Sequence, residues 1–145
     1  MHVTLREDPS LDDIQVTIAA PALDERTARI VGALNAFDRR LTGELDNQTH
    51  LVPLDDVLYI ESVDGRSFLY TRDRVLQSAL HLYELEEHLT GTEFVRTSRQ
   101  ALVNFDHVRS LRPAMGARMV LTLSNGEDVL ASRQYASAIK KKLGI

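Results

Sequence analysis

Apolar and polar residues alternate with a period of two at the start of the chain. "MHVTLRE" alternates through Val3 and Leu5, and "DIQVTIAA" alternates through Ile14, Val16 and Ile18. The segment "DPSLD" between them has the composition of a turn. Because period two is typical of strands, this pattern predicts two short strands joined by a turn.

The spacing then becomes helical in "DERTARIVGALNAFDRRL". Apolar residues recur every three or four positions, at Ala28, Ile30, Val31, Leu34, Phe37 and Leu41. This stripe predicts an amphipathic helix from about Asp24 to Leu41, with Asp24 as N-cap and Gly43 just beyond the end. Residues 1–46 are therefore predicted to form an N-terminal extension of two strands and a helix.

From residue 49 the period returns to two. Strands are predicted at Leu51 to Leu54, Val57 to Glu61, Ser67 to Thr71, near Val75, in "FVRTS", "ALVNF" and "HVRSLRP", and on both sides of Asn125-Gly126. "LHLYELEEHL" predicts a short helix with Leu82, Leu85 and Leu89 inward, and "RQYASAIKKKL" predicts a final one. The fold class is thus mainly β with short helices, with a second unit at residues 47–145.

Composition favours one core and an intracellular setting. The chain has 145 residues, 43% of them hydrophobic, and no cysteine. That length suits one domain with a short appendage, and without cysteine there are no disulfides or thiolate metal sites. No early apolar run has the length of a signal peptide or a membrane span. We therefore expect a soluble cytoplasmic protein.

Few features of the sequence point to catalysis or to a metal site. The histidines, at positions 2, 50, 81, 88 and 107, lack the i, i+4 spacing of a helical zinc site. There is no Gly-rich phosphate loop, and the first lysine is Lys140. Nothing assembles a nucleophile, a base and an oxyanion site, so we expect no catalysis, metal or cofactor.

Charge is distributed unevenly in this acidic protein, whose formal net charge is -4. Residues 94–145 contain 9 Lys and Arg against 3 Asp and Glu, whereas both earlier parts of the chain are acidic. A local positive field of this kind attracts a polyanion. The alternative, that these residues only pair with acidic neighbours in the fold, is equally compatible with charge alone.

The basic segment contains the triplet Ser98-Arg99-Gln100 where one predicted strand gives way to the next. Arg matches guanine O6 and N7, Gln can address adenine, and Ser can bind phosphates. Taken by itself, the triplet would equally be solvated surface.

The same triplet recurs as Ser132-Arg133-Gln134 at a predicted strand-to-helix junction. Lys140 to Lys142 follow on the predicted helix and are available to backbone phosphates. The alternative role of these lysines is to complement the helix dipole and provide solubility. Together the two triplets predict a bipartite DNA surface without a helix-turn-helix.

Four segments in this order resemble the LytTR DNA-binding domain of bacterial transcription regulators, over about residues 47 to 144: "DDVLYIESVDGRSFLYT", "LYELEEHL", "FVRTSRQALVNFDHVRSL" and "LTLSNGEDVLASRQYASAIKKKLG". The resemblance implies a strand-dominated fold whose loops enter the major groove. It implies base contacts from Asp64, Gly65, Arg66, Arg99, Gln100 and Arg133. With the second triplet, the expected phosphate contacts are Arg96, Ser98, Ser132, Gln134, Lys140 and Lys141.

The resemblance also implies partners. Many family members carry a receiver domain in front, and this chain is similar to stand-alone regulators with a short N-terminal extension. Such regulators are often encoded beside a small membrane protein that restrains them. We expect a cytoplasmic homodimer on double-stranded DNA, with the extension's helix forming the dimer, docking such an inhibitor, or packing on the strands. The competing hypothesis is a protein-interaction module that uses the same scaffold without binding DNA.

Overall fold

The computed structural model describes residues 1–38 and 40–145, and for residues 35–38 the backbone alone. The described residues form three α-helices, α1 (Glu25–Asp38), α2 (Leu82–His88) and α3 (Arg133–Leu143). They also form ten strands: β1 (Arg40–Leu45), β2 (Gln48–Pro53), β3 (Val57–Val63), β4 (Arg66–Thr71), β5 (Val75–Ser78), β6 (Phe94–Ser98), β7 (Ala101–Asn104), β8 (Val108–Ala114), β9 (Arg118–Leu123) and β10 (Asp128–Ala131). The predicted fold class, mainly β with short helices, is confirmed.

Residues 1–23 form no strand, so the two predicted N-terminal strands are wrong. The turn between them is present, because Asp8 Oδ1 accepts the N–H and the hydroxyl of Ser10 at 3.0 and 2.6 Å. The alternating side chains of Val3, Leu5 and Ile14 are 78%, 93% and 87% exposed. A strand needs a neighbour for its backbone N–H and C=O groups, and neither segment pairs with a strand in the described parts of the chain.

Helix α1 begins at its predicted N-cap. Thr27 N–H donates to Asp24 Oδ1 at 3.2 Å, and Asp24 N–H donates to Thr27 Oγ1 at 2.9 Å. This reciprocal pair has the arrangement of a capping box. The predicted end at Leu41 is wrong, because the helix ends at Asp38 and strand β1 begins at Arg40. Phe37, predicted on the apolar stripe, has its side chain outside the described residues.

Strand β1 lies in the segment that the sequence assigns to the extension, where no strand is predicted. Leu41 and Gly43 are its buried alternate positions, and the strand pairs with β2 and β5. A Cβ at Gly43 would lie 2.6 Å from Leu76 Cβ, so the close approach requires glycine. Gly43 is the next inward position of the strand after Leu41, but it has no side chain and so gives no apolar signal of period two. Leu41 therefore fits the helical stripe as well as it fits a strand.

The main sheet has seven antiparallel strands in the order β2-β1-β5-β4-β3-β7-β6. On β3, Val57, Leu58, Tyr59 and Ile60 are all buried, because both faces of the sheet are covered at this strand. Helix α2 covers one face with its leucines, which point inward as predicted.

A second sheet, of order β10-β9-β8, covers the other face together with helix α3. Leu121 of β9 and Ile139 of α3 are fully buried there. Burial of a side chain of this size contributes roughly 1.5–3 kcal/mol. The predicted Asn125-Gly126 turn joins β9 to β10, with Gly126 at φ 89°. This second layer places the start of α3 against strand β6 of the main sheet.

Helix α1 closely approaches the turn that follows α2. A Cβ at Gly32 would collide with the carbonyl oxygen of Gly91, so this contact admits only glycine. The extension therefore touches the β domain beside the end of α2.

Candidate nucleic-acid interface

The turn between β3 and β4 is a tight two-residue link. Val63 pairs with Arg66, and Asp64 and Gly65 between them have φ of 53° and 77°. Positive φ at both central residues is the geometry of a type I′ turn, which matches the twist of a hairpin. Arg66 is exposed, and its guanidinium has no ion pair or hydrogen bond to the rest of the described chain.

The turn between β6 and β7 carries the first Ser-Arg-Gln triplet. Ser98 pairs with Ala101, which leaves Arg99 and Gln100 as the two exposed link residues. Ser98 Oγ accepts the N–H of Gln100 at 3.2 Å, and its own hydroxyl hydrogen stays available to an acceptor. The Arg99 guanidinium has no partner among the described residues.

The second triplet opens helix α3. Ser132 is the N-cap, but its hydroxyl makes no capping hydrogen bond. Arg133 and Gln134 are exposed, and the described chain offers the Arg133 guanidinium no partner. The first N–H groups of a helix have no intrahelical acceptor and favour an anion.

Two backbone hydrogen bonds bring these three segments to one end of the main sheet. Ser132 N–H donates to Thr97 O at 2.9 Å, so the start of α3 lies beside the β6–β7 turn. Ser62 N–H donates to Gln100 O at 2.7 Å, so the end of β3 lies on the other side of the same turn. Three exposed arginines, Arg66, Arg99 and Arg133, are therefore carried by neighbouring segments.

The C-terminal lysines are further away. Lys140 lies about 10 Å from Arg133 along the helix axis, given the rise of about 1.5 Å per residue. Lys142 Nζ is 5.8 Å from the ring centroid of Phe105, which follows the far end of β7 from the Arg99 turn. All three lysines occupy the last turn of α3, where they complement the helix dipole.

Much of the positive charge on the second sheet is used within the protein. Arg112 pairs with Asp128 at 3.0 Å, and Arg118 Nε donates to Met115 O at 2.8 Å. Hydrogen bonds from Thr122 and Arg112 hold the pKa of Asp128 below its ordinary value. The alternative drawn from charge, pairing with an acidic neighbour, thus applies to Arg112 but not to the triplets.

Arg96, a predicted phosphate contact, is engaged inside the protein. Its guanidinium donates to the carbonyl oxygens of Ser98 and Arg99 and forms an ion pair with Glu86 of α2. Glu86 has no role in the sequence-based prediction, because an outward-facing glutamate on an amphipathic helix gives no signal of a partner on a distant strand. Its pairing becomes visible only once α2 is packed against β6.

The described residues contain no group of three His, Asp or Glu side chains arranged to hold a metal ion. No helix in the described ranges has both the length and the apolar character needed to cross a membrane.

These turns occur in a chain that matches a known DNA-binding domain. The family model of the LytTr DNA-binding domain matches residues 47–144, well over half of the chain. The chain belongs to this family. The family is a DNA-binding domain of transcription regulators and not an enzyme class, so the protein is a DNA-binding transcriptional regulator.

A solved structure and a curated relative are similar to this chain in fold and in being transcription regulators or their domains. A solved LytTr DNA-binding domain of a methyl-accepting/DNA response regulator from Bacillus cereus superimposes with a TM-score of 0.70 at 28% identity, over 73% of this chain and 97% of that one. An uncharacterized HTH-type transcriptional regulator of Staphylococcus aureus (strain bovine RF122 / ET3-1) is 27% identical over 90% of this chain and 89% of its own.

Two longer regulators are also similar. The transcriptional regulatory protein LytR of the same Staphylococcus aureus strain is 24% identical over 88% of this chain and 52% of its own. The sensory transduction protein LytT of Bacillus anthracis is 29% identical over 83% of this chain and 50% of its own. This LytTR chain therefore spans about half the length of LytR and LytT.

Proposed function

We propose that this LytTR protein binds double-stranded DNA at specific sequences and regulates transcription there, through the end of the sheet that carries the two Ser-Arg-Gln triplets. The observation that carries the proposal is the 2.9 Å bond from Ser132 N–H to Thr97 O, which sets the triplets side by side. Neighbouring, exposed and unpaired guanidinium groups can read adjacent base pairs.

The base contacts come from the three segments at this end of the sheet: Asp64, Gly65, Arg66, Arg99, Gln100 and Arg133. Two-residue turns are narrow enough to enter a major groove about 12 Å wide. Arg66, Arg99 and Arg133 supply bidentate donors for guanine, Gln100 suits adenine, and Asp64 can accept from the amino group of cytosine. Gly65 lets the backbone of its turn approach the base edges.

Phosphate contacts come from Ser98, Ser132 and Gln134 beside the arginines, and from Lys140 and Lys141 further along α3. The unused hydroxyl of Ser132 and the free N–H groups at the start of α3 favour a phosphate. Replacing Lys140 and Lys141 by Gln should reduce the magnitude of the negative slope of log K against log salt by about two, roughly one for each phosphate contact. Arg96 receives a different role below.

We also infer that the regulator works without a receiver domain, and that its N-terminal extension binds a protein, either a second copy or a small membrane-protein inhibitor. The relative of which the chain covers 89% supports a regulator of this length. Apolar side chains at Val3, Leu5, Ile14 and Leu23 are at least 78% exposed. Several exposed apolar residues in one segment indicate a protein interaction site, whereas single ones are normal on a protein surface. Light scattering of the intact chain and of a variant with aspartate at Leu5 and Ile14 distinguishes a dimer from a monomer.

The test of DNA binding is selection of duplexes from a random pool, followed by fluorescence anisotropy at two salt concentrations. The double variant Arg99→Ala/Arg133→Ala should lose the enriched motif, and the matched control Arg109→Ala should keep it. Arg109 is an exposed arginine on β8 without a partner among the described residues. If the wild-type protein shows only weak, salt-sensitive binding without a motif, the proposal is wrong and the interaction-module hypothesis gains.

A further inference from the structure

The guanidinium of Arg96 has a partner at each of its three nitrogens. Nε donates to Ser98 O at 2.8 Å, Nη2 donates to Arg99 O at 2.5 Å, and Nη1 lies 3.3 Å from Glu86 Oε1. The side chain is only 21% exposed. A planar fork with fixed donor directions can hold two consecutive carbonyl groups and a carboxylate at once, which a lysine ammonium cannot do in the same geometry.

The turn that Arg96 holds has little support of its own. Arg99 and Gln100 are not among the described residues with positive φ, so the link lacks the twist-matching geometry of the Asp64-Gly65 turn. The pairing of β6 with β7 also shifts register between Arg96 and Ser98. Because the Arg96 side chain donates to two carbonyl groups of the turn, it stabilises the turn despite its unfavourable backbone geometry and the register shift. It also restricts where Arg99 points.

Glu86 ties this turn to a rigid element. It lies on α2, whose Leu82 and Leu85, together with Leu89 at the C-cap, are buried in the core of the main sheet. The carboxylate is 46% exposed, and an ion pair at that exposure contributes little to the free energy of unfolding. Its effect should therefore appear in the geometry of the turn and not in global stability.

We propose that Glu86 and Arg96 are a positioning pair that holds the Arg99 turn in its DNA-reading conformation, so that helix α2 contributes to affinity without contacting DNA. This inference rests on the proposed function, because it takes the Arg99 turn to read DNA. It assigns Arg96 to holding that turn and not to contacting a phosphate.

The decisive variant is Glu86→Gln, because the loss of a negative charge and the loss of the positioning pair are expected to change DNA affinity in opposite directions. Removing a negative charge should strengthen binding to any polyanion. Loss of the pair should instead weaken binding to the selected duplex about two- to fivefold, the range expected for one half-exposed ion pair, while binding to unrelated duplexes does not weaken. Glu87→Gln is the matched control, since Glu87 is exposed, adjacent on α2, and not paired with Arg96.

Arg96→Lys separates positioning from phosphate contact. The variant keeps the charge, so a phosphate contact predicts nearly unchanged affinity and salt slope. Positioning predicts a loss of roughly tenfold on the selected duplex with an unchanged salt slope, since no counterion release is lost. Thermal unfolding of each variant serves as the check on the fold.

A measurement on the free protein tests the bridge without DNA. Backbone order parameters of residues 98–100 should fall in Glu86→Gln from about 0.85 toward about 0.6, and stay unchanged in Glu87→Gln. Unchanged order parameters, or selected-duplex affinity equal in the two glutamine variants, would overturn the positioning role. If wild-type protein selects no duplex, the proposed function fails, and the order parameters alone decide whether the pair orders the turn.

Discussion

Ser132 donates its backbone N–H to the carbonyl oxygen of Thr97 at 2.9 Å, which joins the first residue of one Ser-Arg-Gln triplet to the residue before the other. The triplets are separated by more than thirty residues in sequence, and this bond brings the segments that carry their arginines together on the surface. An interface built on this contact should respond to its two arginines as one unit.

We expect Arg99→Ala and Arg133→Ala each to weaken binding to the selected duplex by about 1–3 kcal/mol, because in the proposed interface each arginine makes one bidentate base contact. The double variant should lose less than the sum, with a coupling of at least about 0.5 kcal/mol, because neighbouring contacts are not independent. Anisotropy titrations of the four proteins measure this cycle. Fully additive losses would contradict a shared site, and a change in circular dichroism would make the arginines structural.

Asn104 should matter for stability rather than for DNA binding. It is 2% exposed, and its Nδ2 donates to Val57 O at 3.0 Å while its Oδ1 accepts Asp106 N–H at 3.1 Å. Asn104→Ala removes both of these buried hydrogen bonds and should lower the free energy of unfolding by about 1–3 kcal/mol. Urea denaturation measures the loss, and Gln77→Ala, at an exposed position of β5, is the control. Equal effects at the two sites would count against this role.

Gly32→Ala should loosen helix α1, contrary to helix propensity. Alanine normally stabilises a helix by about 0.5–1 kcal/mol relative to glycine. Here the added Cβ would collide with the carbonyl oxygen of Gly91, so α1 must shift. Hydrogen exchange of the α1 amides should become faster. Ala33→Gly, at an exposed position, gives the cost of helix propensity alone. Slower exchange in Gly32→Ala would mean that the contact with Gly91 does not hold the helix.

Tyr59 should make stability fall in alkaline solution. Its hydroxyl donates to Glu127 Oε2 at 2.9 Å, and burial, followed by this hydrogen bond and the negative charge, raises its pKa. A group with a raised pKa in the folded state stabilises fully below its unfolded pKa, about 10 for tyrosine, and loses that contribution as the pH rises further. Unfolding free energies between pH 8 and 11 should therefore fall more steeply in wild type than in Tyr59→Phe. Parallel profiles would exclude Tyr59 as the cause, and Tyr83→Phe, 66% exposed, is the control.

Prediction from sequence succeeded where local pattern and tertiary environment agree. The leucines of α2 repeat at helical spacing and are buried on one face, and the Asp64-Gly65 turn follows from the conformational freedom of glycine and aspartate. Prediction failed at residues 1–23, where alternation is present but no neighbouring strand pairs with it. It failed also at β1, because Leu41 fits both a helical stripe and a strand whose next inward position is glycine.

By itself the sequence determined the mainly β class, the α2 and α3 helices, the turns and the two basic triplets, because each depends on residues close together in the chain. Only the tertiary structure decided which exposed charges are free. The segments that carry Arg99 and Arg133 are joined by a backbone hydrogen bond, Arg112 pairs with Asp128, and Arg96 is held by Glu86. The reason is physical: an arginine's partners are set by the packing of strands and helices distant in sequence, and residue spacing carries no record of that packing.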